Sequence, residues 1–266
     1  MVRHDLSSIG EEKDSFKIAL GYDPSDEPTP LFEYTFHLAE LTAGEVIIVH
    51  ALESVVSETI KEDEKKIKEQ LEEILKNLNL PQVPFKFEII YGIEIEKFIQ
   101  FVEKENINIF AFYYFKKFFG KTLSQEFIEN LTQSGLFVVK EKISFREIRN
   151  ILVPVDFSES SSRQRDIVER IINNAPYEVN FTFLHVLEEQ NESEREEAEM
   201  LFKELFEAYG KFKIRIGEPE EQILKELEEN NYNLVIIGRT GRGLNLACGE
   251  VTKEVVEEAP CPVIVA

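Results

Sequence analysis

The chain has 266 residues, 43% of them apolar, with 51 acidic against 30 basic side chains and a net charge of −21. That length accommodates two ordinary domains with a core each, and that apolar share excludes a disordered acidic tail. So negative a surface repels phosphate backbones, which argues against nucleic acid and anionic membranes as partners.

No run is apolar and long enough for a membrane span, and the start, MVRHDLSSIGEEKDSF, lacks the apolar centre of a signal peptide, so a cytoplasmic location is expected. Cys248 and Cys261 are the only cysteines and stand in no metal-ligand spacing with histidine. They read as small buried residues, and no metal site is expected.

In chain order, FKIALGYDPSDE (16–27) is a short apolar strand ending in Asp-x-Ser-acidic, with Asp23 at its turn. EVIIVHALES (45–54) is a second strand, closing on His50. TIKEDEKKIKEQLEEILKNL then sets Ile60, Ile67, Leu71, Ile74, Leu75 and Leu78 along one face at helical spacing, with Thr59 and Glu62 as a capping box. INIFAFYY (107–114) is another strand, running into YYFKKFFGKTLSQE, and GLFVVK (135–140) is the last of this half.

The landmarks then recur in the same order: RNILVPVDFSES (149–160) with Asp156, NFTFLHVLEE (180–189) with His185, YNLVIIGR (232–239), and PVIVA (262–266). Between them, a helix is expected from Ser193, with Glu196 as its capping partner, through Leu201, Phe202, Leu205 and Phe206. A further helix is expected over 218–230, with Pro219 in its first turn. One fold is written twice, with domains at 1–144 and 145–266 and a seam near Glu141 to Phe145.

Strands alternating with helices imply an α/β fold: a doubly wound parallel sheet of five strands in each half, helices on both faces, Rossmann-like. Continuously apolar strands such as VIIV and LVIIG fit parallel strands buried on both sides. Ligands in such sheets sit at the carboxyl ends of the strands where strand order reverses, and Asp156, the end at His185 and Val186, and the loop after Ile237 all lie at such ends.

On VPVDFS, LHV, VIIGRTGRG and GEVTKEVVEEAPCPVIVA, the chain resembles a tandem universal stress protein, a likeness that spans nearly its whole length. The resemblance implies a regulatory adenine-nucleotide (ATP) binder, at most a slow ATPase, with magnesium only where ATP is bound. It also implies that the two halves pair through their last strands as an intramolecular pseudo-dimer, leaving a further homodimer open. Carried over residue by residue, Asp156 and Val155 meet the adenine and ribose region and Val186 contacts the base through its backbone. Ile237, Gly238 and Gly241 frame the ribose and phosphates, and Gly249 opens the helix that receives phosphate.

The family's ATP-binding branch carries Gly-x2-Gly-x9-Gly-(Ser/Thr), and this chain departs from it. Seven residues separate Gly241 from Gly249, and Glu250 stands where the hydroxyl would be. A glutamate in a helix's first turn takes up the dipole's positive end and repels a phosphate there. Arg239 and Arg242 offset that if they turn inward; otherwise they are solvent-facing loop residues.

The first copy departs further. Tyr113 replaces Gly238, and Phe115, Phe118 and Phe119 crowd a loop with the single glycine Gly120, so no nucleotide site is expected there. His50 and His185 read as residues satisfying backbone groups, since neither copy supplies a nucleophile with a base and an orienting acid. The sequence therefore supports two readings: a binder with one site in the second half, or a scaffold that recruits an unidentified protein partner without any nucleotide.

Overall fold

The computed structural model describes residues 15–24, 29–52, 60–115, 122–140, 143–158, 161–240 and 248–266. The first half runs β1 (Lys17–Gly21), α1 (Thr29–Leu41), β2 (Glu45–Leu52), α2 (Ile60–Asn77), β3 (Phe85–Tyr91), α3 (Ile95–Glu105), β4 (Ile109–Tyr114), α4 (Leu123–Asn130) and β5 (Gly135–Lys140). The second runs β6 (Asn150–Pro154), α5 (Ser161–Asn174), β7 (Asn180–Leu187), α6 (Glu192–Leu205), β8 (Lys211–Ile216), α7 (Pro219–Glu229), β9 (Leu234–Ile237), α8 (Glu250–Glu258) and β10 (Val263–Val265).

All these strands join one ten-stranded sheet in the order β3-β2-β1-β4-β5-β10-β9-β6-β7-β8. Within each half every pairing is parallel, and the first and fourth strands of the half lie side by side at its centre. The halves meet where β5 and β10 pair antiparallel, with Val138 opposite Val263, Phe137 opposite Ile264 and Leu136 opposite Val265. Final strands left as free edges would be open templates for association; here each covers the other.

Successive residues of a strand face opposite sides of the sheet, so the seam feeds two cores. Phe137 and Ile264 join the cluster under α1, α2, α5 and α6, while Leu136, Val138, Val263 and Val265 join the one that Phe98, Phe127, Leu227 and Val255 supply from α3, α4, α7 and α8. Each cluster draws on both halves, so packing is continuous across the seam. On α2 the expected face holds, with Ile67 and Leu71 buried and Ile74, Leu75 and Leu78 packed against the core. The Thr59 cap lies outside the described residues.

Helix α6 starts earlier than expected. Asn191, not Ser193, is its N-cap, accepting from the amides of Ser193 (3.1 Å) and Glu194 (3.4 Å). An asparagine oxygen serves that position at least as well as a serine hydroxyl. Phe206, expected inside the helix, falls just past it, buried at its C-cap.

The outer strand β8 reads KFKIRI, and its cations hold the edge to α7. Glu226 of α7 is only 1% exposed and accepts from Lys213 Nζ (2.6 Å), Arg215 Nε (2.8 Å), Asn230 Nδ2 (3.0 Å) and the Tyr232 hydroxyl (2.7 Å). Burial alone would raise this carboxyl's pKa, but the bonds from Lys213, Tyr232 and Arg215 outweigh it and the group titrates below its ordinary range. A depressed carboxylate stabilises the fold above its unfolded-state pKa, and that contribution fades as pH falls through the lowered value. Glu226→Gln is therefore expected to cost roughly 1–3 kcal/mol at neutral pH. It should also flatten the acid limb of the stability curve, as urea unfolding across pH will show; a variant as stable as the parent at pH 7 would contradict this.

Candidate ligand-binding crevice

At the centre of the second half, β6 and β9 diverge after Leu152 pairs with Val235, which is where the strand order reverses. A cavity of about 1090 Å³ opens there, floored by Val155, Leu184, Val186, Ile223 and Ile237 and bounded by Gly238, Thr240 and Gly249. Parallel strands that part leave carbonyls without ladder partners, and a buried unpaired carbonyl is costly. Gln164 of α5, 1% exposed, resolves this by donating from its amide to Pro154 O (2.7 Å) and Ile236 O (3.0 Å).

The two histidines hold equivalent posts. His185 Nδ1 lies 2.8 Å from Val155 O, and His50 Nδ1 lies 2.8 Å from Tyr22 O. Each ties the end of the second strand of its half to the backbone just before the turn aspartate. Asp156 is itself engaged: its Oδ1 accepts from Ser158 N (3.0 Å), Ser158 Oγ (2.7 Å) and Ser161 Oγ (3.4 Å), folding the turn back onto the start of α5. Phe157 between them is left-handed (φ 57°), a conformation uncommon for a bulky residue, and its ring tilts against His185 at 5.1 Å.

Val155 and Ile237 stand in the floor, each 5% exposed. Val155 N donates to Leu184 O and Gly217 N to Leu187 O, so by strand alternation the backbone groups of Val186 point to the side of Leu184, past the end of β6 and into the crevice. Gly238 and Gly249 face each other across the mouth. The Thr252 hydroxyl donates to Gly238 O (2.8 Å), and Gly249 N donates to Arg239 O (2.9 Å). Gly241 and Arg242 lie outside the described residues.

Arg239 departs from both expectations. Its side chain neither enters the crevice nor faces solvent: 6% exposed, it crosses the seam and donates to Ile128 O and Leu131 O (2.7 Å each) at the end of α4. The main chain after β9 runs beside the other half, so the shortest path for the guanidinium leads to helix-end carbonyls that need donors. Burial lowers its pKa from the usual arginine value. Cys248 beside it is buried too, and burial raises its thiol despite the nearby guanidinium; Cys261, more deeply enclosed, is pushed up to about 12.

The rim is acidic. Asp156, Glu188, Glu189, Glu194, Glu197, Glu218 and Glu250 all line the crevice, and no lysine or arginine does so among the described residues. For Glu194, Glu218 and Glu250 the placement has a local cause. The N-termini of α6, α7 and α8 all open on this end of the sheet, and each carries its own acids in the first turn: Glu192 and Glu194, Glu220 and Glu221, and Glu250. Glutamates there complement the positive ends of the helix dipoles. No three histidine, cysteine or carboxylate groups among the described residues are grouped to hold a metal ion.

The first half fills the matching space with aromatics. Tyr113, where the second half has Gly238, is 4% exposed, and its hydroxyl accepts the Leu31 amide (3.1 Å) in the first turn of α1. Tyr22 meets Phe32 edge-on at 5.8 Å, and Tyr113 meets Phe115 at 6.2 Å. Phe118, Phe119 and Gly120 lie outside the described residues. Gln164, Phe157 and Thr252 were not singled out from sequence. Only Gln164 left a trace there, as an amide on the face of α5 that also carries Ile167, Val168 and Ile171.

Among the described residues no helix is long and apolar enough to cross a membrane. No curated protein matches the chain. Among solved structures, the chain is similar to a universal stress protein of Archaeoglobus fulgidus, with a TM-score of 0.75 and 18% identity over 95% of this chain and 98% of that one. It is likewise similar to a functionally unknown protein of Pseudomonas aeruginosa, with a TM-score of 0.68 and 13% identity over 95% and 92%. The cytoplasmic domain of a prokaryotic cation chloride cotransporter also matches, with a TM-score of 0.58 and 12% identity over 94% and 95%. At such identities these likenesses show a shared fold. The family model for the universal stress protein family matches residues 147–266. The second half of the chain is thus a universal stress protein domain, and the first half repeats its fold.

Proposed function

We propose that the whole chain acts as a tandem universal stress protein, with units at 1–144 and 145–266, and that it binds an adenine nucleotide or nucleoside in the second-half crevice as a regulatory ligand. The observation that carries this reading is the apolar floor of Val155, Val186 and Ile237 beside the Val186 backbone groups that point into the crevice, at the point where the sheet opens. A flat aromatic base rests on apolar surface and takes a backbone donor and acceptor at its edge, and this floor with the Val186 backbone beside it offers both. The first half supports no such ligand, because Tyr113 and Tyr22 take the volume. In this reading the protein works in the cytoplasm, and magnesium enters only with a phosphate-bearing ligand.

Titration calorimetry with adenosine and adenine nucleotides on the full chain tests this, with one site per chain expected. Gly238→Tyr, which imports the first-half residue, is expected to weaken binding on the order of a hundredfold, about 2.7 kcal/mol. Full affinity in the folded variant would move the ligand elsewhere. The acidic rim and the withdrawn Arg239 favour a second reading, a scaffold acting through protein partners or as a homodimer. Absence of binding by any adenine compound would select it.

A further inference from the structure

We infer that the second-half crevice selects its ligand by charge, taking an uncharged adenine nucleoside in preference to its phosphorylated forms. The inference rests on the adenine reading above and fixes which member of that class the site takes. The base end of the crevice fits an adenine compound; around it, the described lining residues present carboxylates and no lysine or arginine to an extending phosphate. Phosphate recognition at such a loop relies on free amides at helix N-termini and on nearby cations. Here the starts of α6, α7 and α8 set Glu194, Glu218 and Glu250 on the crevice, so a phosphate drawn to those positive ends meets the chain's own carboxylates. Arg239 spends both its terminal nitrogens on carbonyls of the other half.

The loop from 241 to 247 contains one charged residue, Arg242, which can offset one of the seven carboxylates lining the crevice, whatever its position. The imidazole of His185 is tied to Val155 O in the crevice wall. No three of the acids group as metal ligands, so they act as a field across the mouth, repelling each added phosphate, and not as a chelate. Most of these carboxylates are solvent-exposed, so salt screens the field.

The test is calorimetry on the full chain with adenosine, AMP, ADP and ATP, without divalent metal, at low and at high ionic strength. Affinity is expected to fall with each phosphate, reaching roughly tenfold or more between adenosine and ATP at low salt, with the gap narrowing at high salt. In the triple variant Glu188→Gln, Glu218→Gln, Glu250→Gln, the ratio of adenosine to ATP affinity should move toward one. ATP binding as tightly as adenosine to the parent protein at low salt would overturn the charge selection and leave the adenine site standing. Failure of all four to bind would overturn the adenine reading, and the selection with it.

Discussion

Replacing Val138 by aspartate is expected to cost more than about 4 kcal/mol and to part the two halves of the sheet. Val138 is 1% exposed and lies opposite Val263 in the antiparallel pair that makes one sheet of two. Its side chain enters the core shared by α4 and α8, where Leu136, Val256 and Val265 supply no hydrogen-bond donor from their side chains. A carboxylate there must stay buried and unpaired, or the strands must separate and expose two apolar edges. The second half keeps its own parallel strands, so denaturant unfolding followed by fluorescence and circular dichroism should split into two transitions, with aggregation growing at high protein concentration. A single transition at the parent midpoint would mean that β5 and β10 do not pair in solution.

Arg239→Met is the second large effect, expected to destabilise by roughly 2–4 kcal/mol. Methionine keeps the apolar stem but leaves Ile128 O and Leu131 O without their cationic donor at the end of α4. The same device recurs across the seam. Lys140 of the first half donates to Glu257 O and Ala259 O (2.7 Å each) at the end of α8, and Arg170 of the second donates to Thr42 O (2.9 Å) just past α1. Cations suit helix C-termini, where carbonyls lack partners and the dipole is negative. Hydrogen exchange in Arg239→Met should rise first in α4, half a molecule away in sequence. Loss of ligand affinity with stability unchanged would instead return Arg239 to the crevice.

The tandem architecture was legible because each landmark couples an apolar run to a turn residue. ILVPVD and IALGYD announce the same strand and the same Asp bend, and GLFVVK and PVIVA announce edges that need cover. That need led to the expectation that Leu136 to Val139 lie against Val263 to Val265; the observed register pairs Leu136 to Val138 with Val265 to Val263. The direction of Arg239 was not legible, because its partners lie 111 and 108 residues away on a helix that only the assembled seam brings close. Gln164 was equally opaque: its partners are strand carbonyls exposed by the splay of β6 from β9, a property of the sheet and not of α5. The acidic rim was not legible because its members are scattered from Asp156 to Glu250, after strands and at or within helices, and only the folded sheet end brings them together.

The antiparallel seam carries one more consequence. When identical chains pair about a two-fold axis, every substitution at the contact is made twice, and both sides must tolerate it. Here each side has its own codons. Tyr114 at the end of β4 and Arg239 just past β9 occupy matching positions, yet the Tyr114 hydroxyl donates to a carboxylate of α8, Glu257 Oε1 (3.0 Å), while Arg239 donates to backbone carbonyls at the end of α4. Freed from self-complementarity, one half could fill its crevice with Tyr113 while the other kept its own open, an asymmetry no symmetric pair of identical chains can encode. The contact is also immune to dilution, because its two sides never become separate molecules. A protein so joined keeps its second-half crevice in the same paired setting at any cellular abundance.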